Sequence, residues 1–467
     1  MNETADSARH KQLAEVLREH PAVADALVTG DPDGDGHARI VPDPVAAAVL
    51  HRSVALETAG RLGAALGWHE PAGQVRVAGL NRSETEFLHR EIFTDNAYFR
   101  HGITLPAGAV VLDVGANIGM FTLCVARRSP GARIIAVEPV AELADAVAVN
   151  AELHQVDATV LRTALGRAEG LAEFTFYPHN SVMSGRFADT AEDLEVLKGY
   201  LLTGANARQG EHLDRLAADR MTAQTRQVPV TTLTAVVHEH GLARVDLLKI
   251  DVEKAEAEVL DGIDDELWPR IDRIVMEVHD VDGRLAAVLA ELRGRGFGVT
   301  HEQDPRLALT PCHTVYARRP RADTTPTTLT APAGGLTLRR LEEELRDLVA
   351  RRLPSVPAPG RYTLTADLTA HTDDHGPVRE PSVPASPRVA VLARIWAELF
   401  GPEAVRPDAD FFDLGGDSLT AVRLMATLES ELGEDALTPD LIFTDSTFGA
   451  VAAAVEASGD PERTART

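Results

Sequence analysis

Three groups of residues in this sequence have the types and spacing to do chemistry. The first is the run Val110–Leu123, VVLDVGANIGMFTL. It reads as an apolar strand ending at Asp113, a turn carrying Gly115 and Gly119, and a helix from about Met120. Glycine lets backbone pass against a ligand where a side chain would clash, and the helix start beside it offers free amide donors. Asp113, Gly115, Ala116, Asn117 and Gly119 are therefore a candidate cofactor-binding set. The next strand, RIIAVEP, ends in Glu138 and Pro139. An acidic residue at that tip can accept both ribose hydroxyls of an adenosine. The turn is not GxGxxG, so a nicotinamide dinucleotide is the weaker match. A bare structural turn stays open as the alternative, because glycine turns after strands are common.

The second group, Asp251, Glu253, Glu277 and His279, falls at the ends of two later strands. Alternation along a strand puts Glu277 and His279 on one face. Group transfer to a protonated nucleophile needs a proton acceptor held beside it. The carboxylates suit that task or substrate orientation, and an imidazole titrates near neutral pH. Helix capping and pairing with Lys249 or Arg273 are the equally open structural alternative. The segment YPHNSVMSGRF adds His179, Asn180 and Ser181, either as groups that orient an acceptor or as a plain loop. No tight spacing of His, Cys and acids marks a metal site, so none is expected. The third group is Ser418, in DADFFDLGGDSLTAVRLMATLE. It stands at a helix start, after Asp417, where a modifying enzyme can reach the hydroxyl. Leu419, Val422 and Leu424 would anchor that helix. A simple N-cap is the structural alternative.

The elements that position these residues can be read from the apolar pattern. Val110–Val114, Arg133–Val137, Asp246–Ile250 and Ile274–Val278 are near-continuous apolar runs, as in a parallel sheet covered on both faces. They alternate with amphipathic helices, so residues 47–320 form one α/β unit. Within it, 186–226 is polar and helix-rich and reads as an inserted lid. Residues 1–46 give one helix, with Leu13, Val16 and Leu17 on its apolar face. Two strands follow, near Ala26–Thr29 and Ala38–Val41, joined by the turn Asp31–Gly36. That piece is too small to bury a core alone. Residues 319–332 are a Pro/Thr-rich linker, and a helix follows at Thr337–Arg352 with Leu338, Leu341, Leu345 and Leu348 in one stripe. Residues 321–384 are thus linker plus a short structured piece. Residues 385–460 are a compact helical unit that includes Ala390–Phe400.

The formal net charge of −25 over 467 residues argues against nucleic acid and against an anionic membrane surface. Two cysteines, Cys124 and Cys312, exclude a disulfide framework and suggest a reduced, cytoplasmic setting. The polar N-terminus lacks the apolar region of a signal peptide.

From about Gln74 to Arg319 the sequence resembles FkbM-type methyltransferases. The likeness rests on VLDVGANIGMFTL, AVEP with Asn150 downstream, the ALG segment at Ala164–Gly166, LLKIDVEKAEAEVLDGI, IVMEVHD and HTVYARR. It implies a Rossmann-like class I α/β fold with a mainly parallel sheet, and S-adenosylmethionine as cofactor. It also adds Ala164 and Leu165 to the cofactor-binding set. One departure is visible: the family often reads DVEG where this chain has Asp251, Val252, Glu253 and Lys254. The C-terminal unit resembles the four-helix carrier domains of nonribosomal peptide and polyketide assembly lines, which implies 4'-phosphopantetheine on Ser418. Residues 1–46 and Leu336–Arg379 resemble the two parts of the small α+β C-terminal subdomain of adenylation enzymes. Pro377 stands where that subdomain has its catalytic lysine, so no adenylating activity is expected.

These resemblances imply methyl transfer on an acyl or aminoacyl group tethered to the carrier: the FkbM likeness favours an oxygen acceptor, and the adenylation-insert context favours a carrier-bound amino nitrogen as the alternative. The implied partners are a phosphopantetheinyl transferase and adenylation or other assembly-line enzymes in trans, as in antibiotic biosynthesis. Two alternatives stand beside this reading. One is the same fold turned to elimination or cyclisation. The other is a non-catalytic carrier scaffold.

Overall fold

The computed structural model describes residues 2–30, 36–194, 221–304, 307, 310–320, 335–368 and 386–401. In the C-terminal bundle it describes 404–407, 409–411, 414, 416, 418–433, 436–437, 441–442 and 446–458. The turn at 31–35, most of the lid segment (195–220), the linker 321–334 and the segment around Pro377 lie outside the described residues.

The chain opens with α1 (Asn2–Leu17), β1 (Val23–Thr29), β2 (His37–Pro42) and α2 (Ala48–Thr58). A short pair, β3 (Gly67–His69) and β4 (Val77–Gly79), leads into α3 (Arg82–His89). The central run is β5 (Val110–Val114), α4 (Met120–Arg128), β6 (Arg133–Val137), α5 (Ala141–His154) and β7 (Ala158–Leu161). Then come β8 (Ala164–Leu165), β9 (Gly170–Phe176), β10 (Gln224–Thr231), α6 (Leu233–Glu239), β11 (Leu247–Ile250) and α7 (Glu256–Asp261). Next are β12 (Arg273–His279), α8 (Arg284–Gly294), β13 (Gly298–Glu302) and β14 (Cys312–Arg318). The C-terminal third holds α9 (Leu338–Arg352), β15 (Arg361–Leu364), α10 (Pro387–Phe400), α11 (Ser418–Leu432) and α12 (Phe448–Ala457).

The central sheet has seven strands in the order β13-β14-β12-β11-β5-β6-β7. Strands β12, β11, β5, β6 and β7 are mutually parallel, and β14 runs antiparallel to both its neighbours. This order and direction match the Rossmann-like class I α/β sheet that the FkbM resemblance implies. The apolar runs are continuous because each strand feeds two cores. Val111, Ile134 and Leu247 pack with Phe121, Leu123 and Val149 on one side. Leu112, Ile135 and Leu248 pack with Val236, Leu260 and Leu292 on the other. Period-two alternation sends neighbours along a strand to opposite faces. The lid reading of 186–226 is corrected at its end: Gln224–Arg226 belong to β10, paired antiparallel with β9.

The N-terminal piece gains its missing core from the other side of the central α/β unit. Strand β15 joins β2 in parallel, beside the β1–β2 hairpin. His37 Nε2 and Thr363 Oγ1 lie 2.9 Å apart although 326 residues separate them. Leu13, Leu17, Ile40, Leu341, Leu345, Val349 and Tyr362 form one buried cluster. Helix α2 serves two cores, with Leu50 in this cluster and Val49 and Leu56 in the core of the central α/β unit.

In the bundle, Leu392, Trp396, Phe411, Leu424, Leu428, Phe448 and Val451 are all buried together. Trp396 meets the Phe400, Phe411 and Phe448 rings at 5.2–5.8 Å with edge-on geometry. Three helices, α10, α11 and α12, span the described residues here, and Leu441 and Ile442 are also helical.

Leu345→Ala should cost about 2–5 kcal/mol in the small three-stranded unit. Hydrogen exchange is expected to rise in residues 13–17 and 38–42 and to stay slow in β5 and β6. Equal loss across the central sheet would contradict separate cores.

Candidate functional site

The parallel strands end together on one edge of the sheet, which is where open α/β sheets bind ligands. Asp113 closes β5 within the core, and its Oδ2 accepts a 2.7 Å hydrogen bond from the Thr122 hydroxyl. Burial pushes its carboxyl up, and Lys249, 3.5 Å from Oδ1, pulls against that shift. The chain then turns through Gly115 at φ +78°. A Cβ there would run into the Asp251 carbonyl oxygen, so both the dihedral and the close approach demand glycine. Gly119, at φ +83°, faces Val147 with no more than 3.2–3.3 Å for an added carbon.

Asn117, at φ 49°, sends its backbone N–H to Glu138 Oε2 at 2.9 Å. Val140 N–H donates to Glu138 Oε1 at 3.0 Å. Burial raises the Glu138 carboxyl to about 7 despite these two bonds. Two accepted bonds leave a carboxylate further acceptor sites, so Glu138 fits a ribose diol. Pro139 follows it, half-buried. Ala116 packs with Ala136 and Val147. Ala164 and Leu165 form β8, parallel to Val230 and Thr231 of β10, with Leu165 buried in the core under the sheet. Asn150 is structural: it accepts from Ala78 N–H and donates to the Ala78 and Ile118 carbonyls, pinning β4 to the glycine turn.

Beside this turn stands the acidic cluster. Lys249 is buried and donates to the Gly115 carbonyl at 2.6 Å. Its Nζ is 3.2 Å from Asp251 Oδ2, which also accepts the Tyr98 hydroxyl at 3.0 Å. Burial works against the Lys249 charge, but Asp251 and Asp113 prevail and raise its pKa. His279 Nδ1 lies 2.8 Å from Glu256, which Arg284 also holds at 2.9 Å. His279 Nε2 lies 3.2 Å from Glu253 and 3.9 Å from Glu277. Burial opposes the imidazolium, yet these carboxylates outweigh it and hold the His279 pKa well above its usual value. Burial, then Asp251 and Glu253, push the Glu277 carboxyl well up. Burial also raises Glu253 and the Cys312 thiol, and that thiol donates to Glu277. The ligand atoms of Glu277, His279 and Cys312 lie within 4.8 Å of one another, as do those of Asp251, Glu253 and Glu277. Both imidazole nitrogens face carboxylates, Nδ1 toward Glu256 and Nε2 toward Glu253.

The departure at Lys254 has a backbone explanation. Glu253 and Lys254 take φ 46° and 69°, so the turn keeps the left-handed shape that glycine would give it. A lysine there costs about 1 kcal/mol in backbone strain. Its Nζ is 2.7 Å from Asp193 and 3.4 Å from Glu192.

Of the expected acceptor-orienting residues, Ser181 is drawn into the scaffold. Its hydroxyl donates to Glu84 at 2.5 Å and accepts from Asn117 Nδ2 at 3.1 Å. Asn180 Nδ2 lies 3.4 Å from Met221 Sδ, and His179 is half-buried. Glu84, Tyr98, Glu256 and Cys312 join the site unforeseen. Asn81-x-x-Glu84 did carry a helix-start signal, and Asn81 Oδ1 caps α3 by accepting Glu84 N–H at 2.9 Å.

Ser418 begins α11. Upstream, Gly416 lies against the Phe411 ring and carbonyl, where any side chain would clash. The bundle touches the methyltransferase unit: Arg82 Nη1 is 3.1 Å from Asp410 Oδ1. Tyr177 and Met221 share the bundle's buried cluster.

The Methyltransferase FkbM domain matches residues 113–299. The 31-O-demethyl-FK506 methyltransferase FkbM of Streptomyces tacrolimicus is 46% identical over 244 residues, 52% of this chain and 93% of that protein. The chain belongs to the FkbM family. It is an S-adenosylmethionine-dependent methyltransferase. Methyltransferase 1 of Beauveria bassiana, 34% identical, aligns with 47% of this FkbM-family chain and 84% of its own length. The phosphopantetheine attachment site family matches residues 390–455, so a second, covalent cofactor is carried C-terminal to the FkbM domain. The AMB antimetabolite synthetase AmbE of Pseudomonas aeruginosa is 35% identical over 448 residues, 88% of this chain. The chain spans 21%, about a fifth, of AmbE's length. Among the described residues, no helix is long and apolar enough to cross a membrane.

Gly115→Ala should destabilise the FkbM domain by about 2 kcal/mol or more through strain and clash. S-adenosylmethionine binding in calorimetry should be lost with it. Wild-type affinity in this variant would show that the turn does not border the cofactor.

Proposed function

We propose that this chain methylates an oxygen of an acyl or aminoacyl group held as a thioester on phosphopantetheine at Ser418. The observation that carries this reading is that the carrier bundle packs against the same domain whose strand tips hold the glycine turn and acidic cluster. A short tether turns capture of the substrate into an intramolecular event. FkbM of Streptomyces tacrolimicus is named as acting on a 31-O-demethyl compound, which favours an oxygen acceptor. The pairing of β2 with β15 favours a second reading. It makes the methyltransferase an insertion within a small α+β unit like that of adenylation enzymes, where a carrier-bound amino nitrogen is the expected acceptor. AmbE, a synthetase, shares nearly the whole arrangement. This supports a place in nonribosomal-type biosynthesis, with loading and phosphopantetheinylating enzymes as partners.

Bound S-adenosylmethionine supplies an electrophilic methyl group. Asp113, Gly115, Ala116, Asn117 and Gly119 would line its seat, with Glu138 and Pro139 at the ribose and Ala164 and Leu165 on the far side. His179, Asn180 and Ser181 border the acceptor side. Asp251, held by Lys249 and Tyr98, orients the acceptor. Glu277 and Glu253 take the proton that the acceptor hydroxyl loses as it attacks. A carboxylate whose pKa is raised is a stronger base than an ordinary one. His279 supplies the positive charge that lets these carboxylates share one site.

Intact mass of the holo chain, loaded with candidate acyl groups, should show one added methyl on the arm only when S-adenosylmethionine is present. Ser418→Ala should take up no arm. Glu277→Gln should lower methyl transfer about 100-fold or more while cofactor affinity holds. An arm that never gains a methyl across acyl classes would count against the reading.

Acid should weaken cofactor binding. Glu138 accepts hydroxyls as a carboxylate, and its pKa of about 7 means that it gains a proton below that pH. Affinity is expected to fall by up to about tenfold per pH unit below 7. Glu138→Gln should flatten this slope and bind weakly throughout. The same raised pKa makes the folded protein lose stability as pH climbs from about 4.5 to 7. The cofactor-free Glu138→Gln variant should therefore be the more stable one at pH 8.

A further inference from the structure

We infer that residues 177–194 with Met221 are the seat for this chain's own carrier bundle, and that Lys254 fixes that seat to the catalytic turn. The inference rests on the carrier-tethered reading above and adds where the carrier docks and what sets it there. Tyr177 and Met221 are buried in one apolar cluster with Val389, Trp396, Phe411 and Phe448. Met183, Ala188 and Leu194 pack at its margin. At the rim, Arg82 pairs with Asp410, whose other oxygen accepts the Ser446 hydroxyl at 2.5 Å. Apolar centre and charged rim are the anatomy of a specific interface.

The seat is tied to the chemistry from two sides. Asp193, buried, accepts the Tyr177 hydroxyl on Oδ2 at 3.1 Å and Lys254 Nζ on Oδ1 at 2.7 Å. Lys254 follows Glu253, which lies 3.2 Å from His279. Gly185, within the seat, leaves only 2.9 Å between an added carbon and Glu253. On the other side, Arg82 precedes Glu84 on α3, and Glu84 binds Ser181, which binds Asn117 of the cofactor turn. Lys254 holds a left-handed backbone position for which glycine is better suited. Its side chain joins the turn to the surface the carrier covers. Lys254 is thus a positioning residue that adapts an FkbM turn to a carrier in the same chain.

The test is hydrogen exchange of the full holo chain in the wild type, R82E, D410R, R82E/D410R, K254G and K254R. Each single charge reversal, and K254G, should speed exchange in 177–194 by about fivefold, since one rim pair or strut contributes modestly. Unchanged protection of 389–400 shows that the bundle itself stays folded. The double reversal and K254R should restore slow exchange. Equal exchange of 177–194 in every form, or a double reversal as fast as the singles, would overturn the docking seat. If the arm is still methylated in that case, the proposed function survives and only the seat is lost.

Discussion

One buried ammonium sits at the junction of two strand tips. Lys249 Nζ donates to the Gly115 carbonyl and lies between Asp113 and Asp251, in a place where an unpaired charge could not persist. Its two carboxylates need it as much as it needs them. Asp113 is wholly buried at the end of β5, and Asp251 stands beside Glu253 and Glu277. The ion pair therefore holds the β5 turn against the β11 tip, and the Gly115–Asp251 contact closes that joint. Both halves of the proposed site hang from it: the amides of the turn on one side, the acid and imidazole cluster on the other.

The cluster itself is a balance of like charges. Asp251, Glu253 and Glu277 crowd one place, and burial raises the last two. Glu256 and Arg284 fix the far nitrogen of His279, so its near nitrogen is turned toward the carboxylates. These carboxylates hold the His279 pKa well above its usual value, and the proposed proton acceptors are its carboxylate neighbours.

The sequence spoke most clearly where chemistry and fold impose the same local pattern. Val110–Val114 and Arg133–Val137 were legible as strands because both faces of a parallel sheet must be apolar. The glycines at 115 and 119 were legible because the backbone there is left-handed. What stayed hidden depends on long-range contact. Glu84 reaches Ser181 across 97 residues, and Tyr98 reaches Asp251 across 153. Asn81-x-x-Glu84 marks a helix start but not its reach to Ser181, and nothing local in NAYF announces Asp251. Strand β15 is four residues long, too short for a periodic signal, and its partner lies at the other end of the chain. His279 was named from its strand position, but its raised pKa comes from Glu253 first and then from Glu256, which local pattern places on a separate helix.

The methyltransferase leaves and re-enters its small host unit at one spot. A side chain on Gly335 would collide with Val49, and Glu70 accepts the first backbone amides of α9, from Leu338 and Arg339. The folded domain thus holds its own two ends together beside the β2–β15 pair. Chain-closure entropy grows with the length of a flexible loop, not with that of a folded one. To the host, nearly three hundred intervening residues weigh little more than a short turn. A domain mounted this way behaves as a cassette: it can be gained, shed or exchanged in evolution without disturbing the strand register of the frame that carries it.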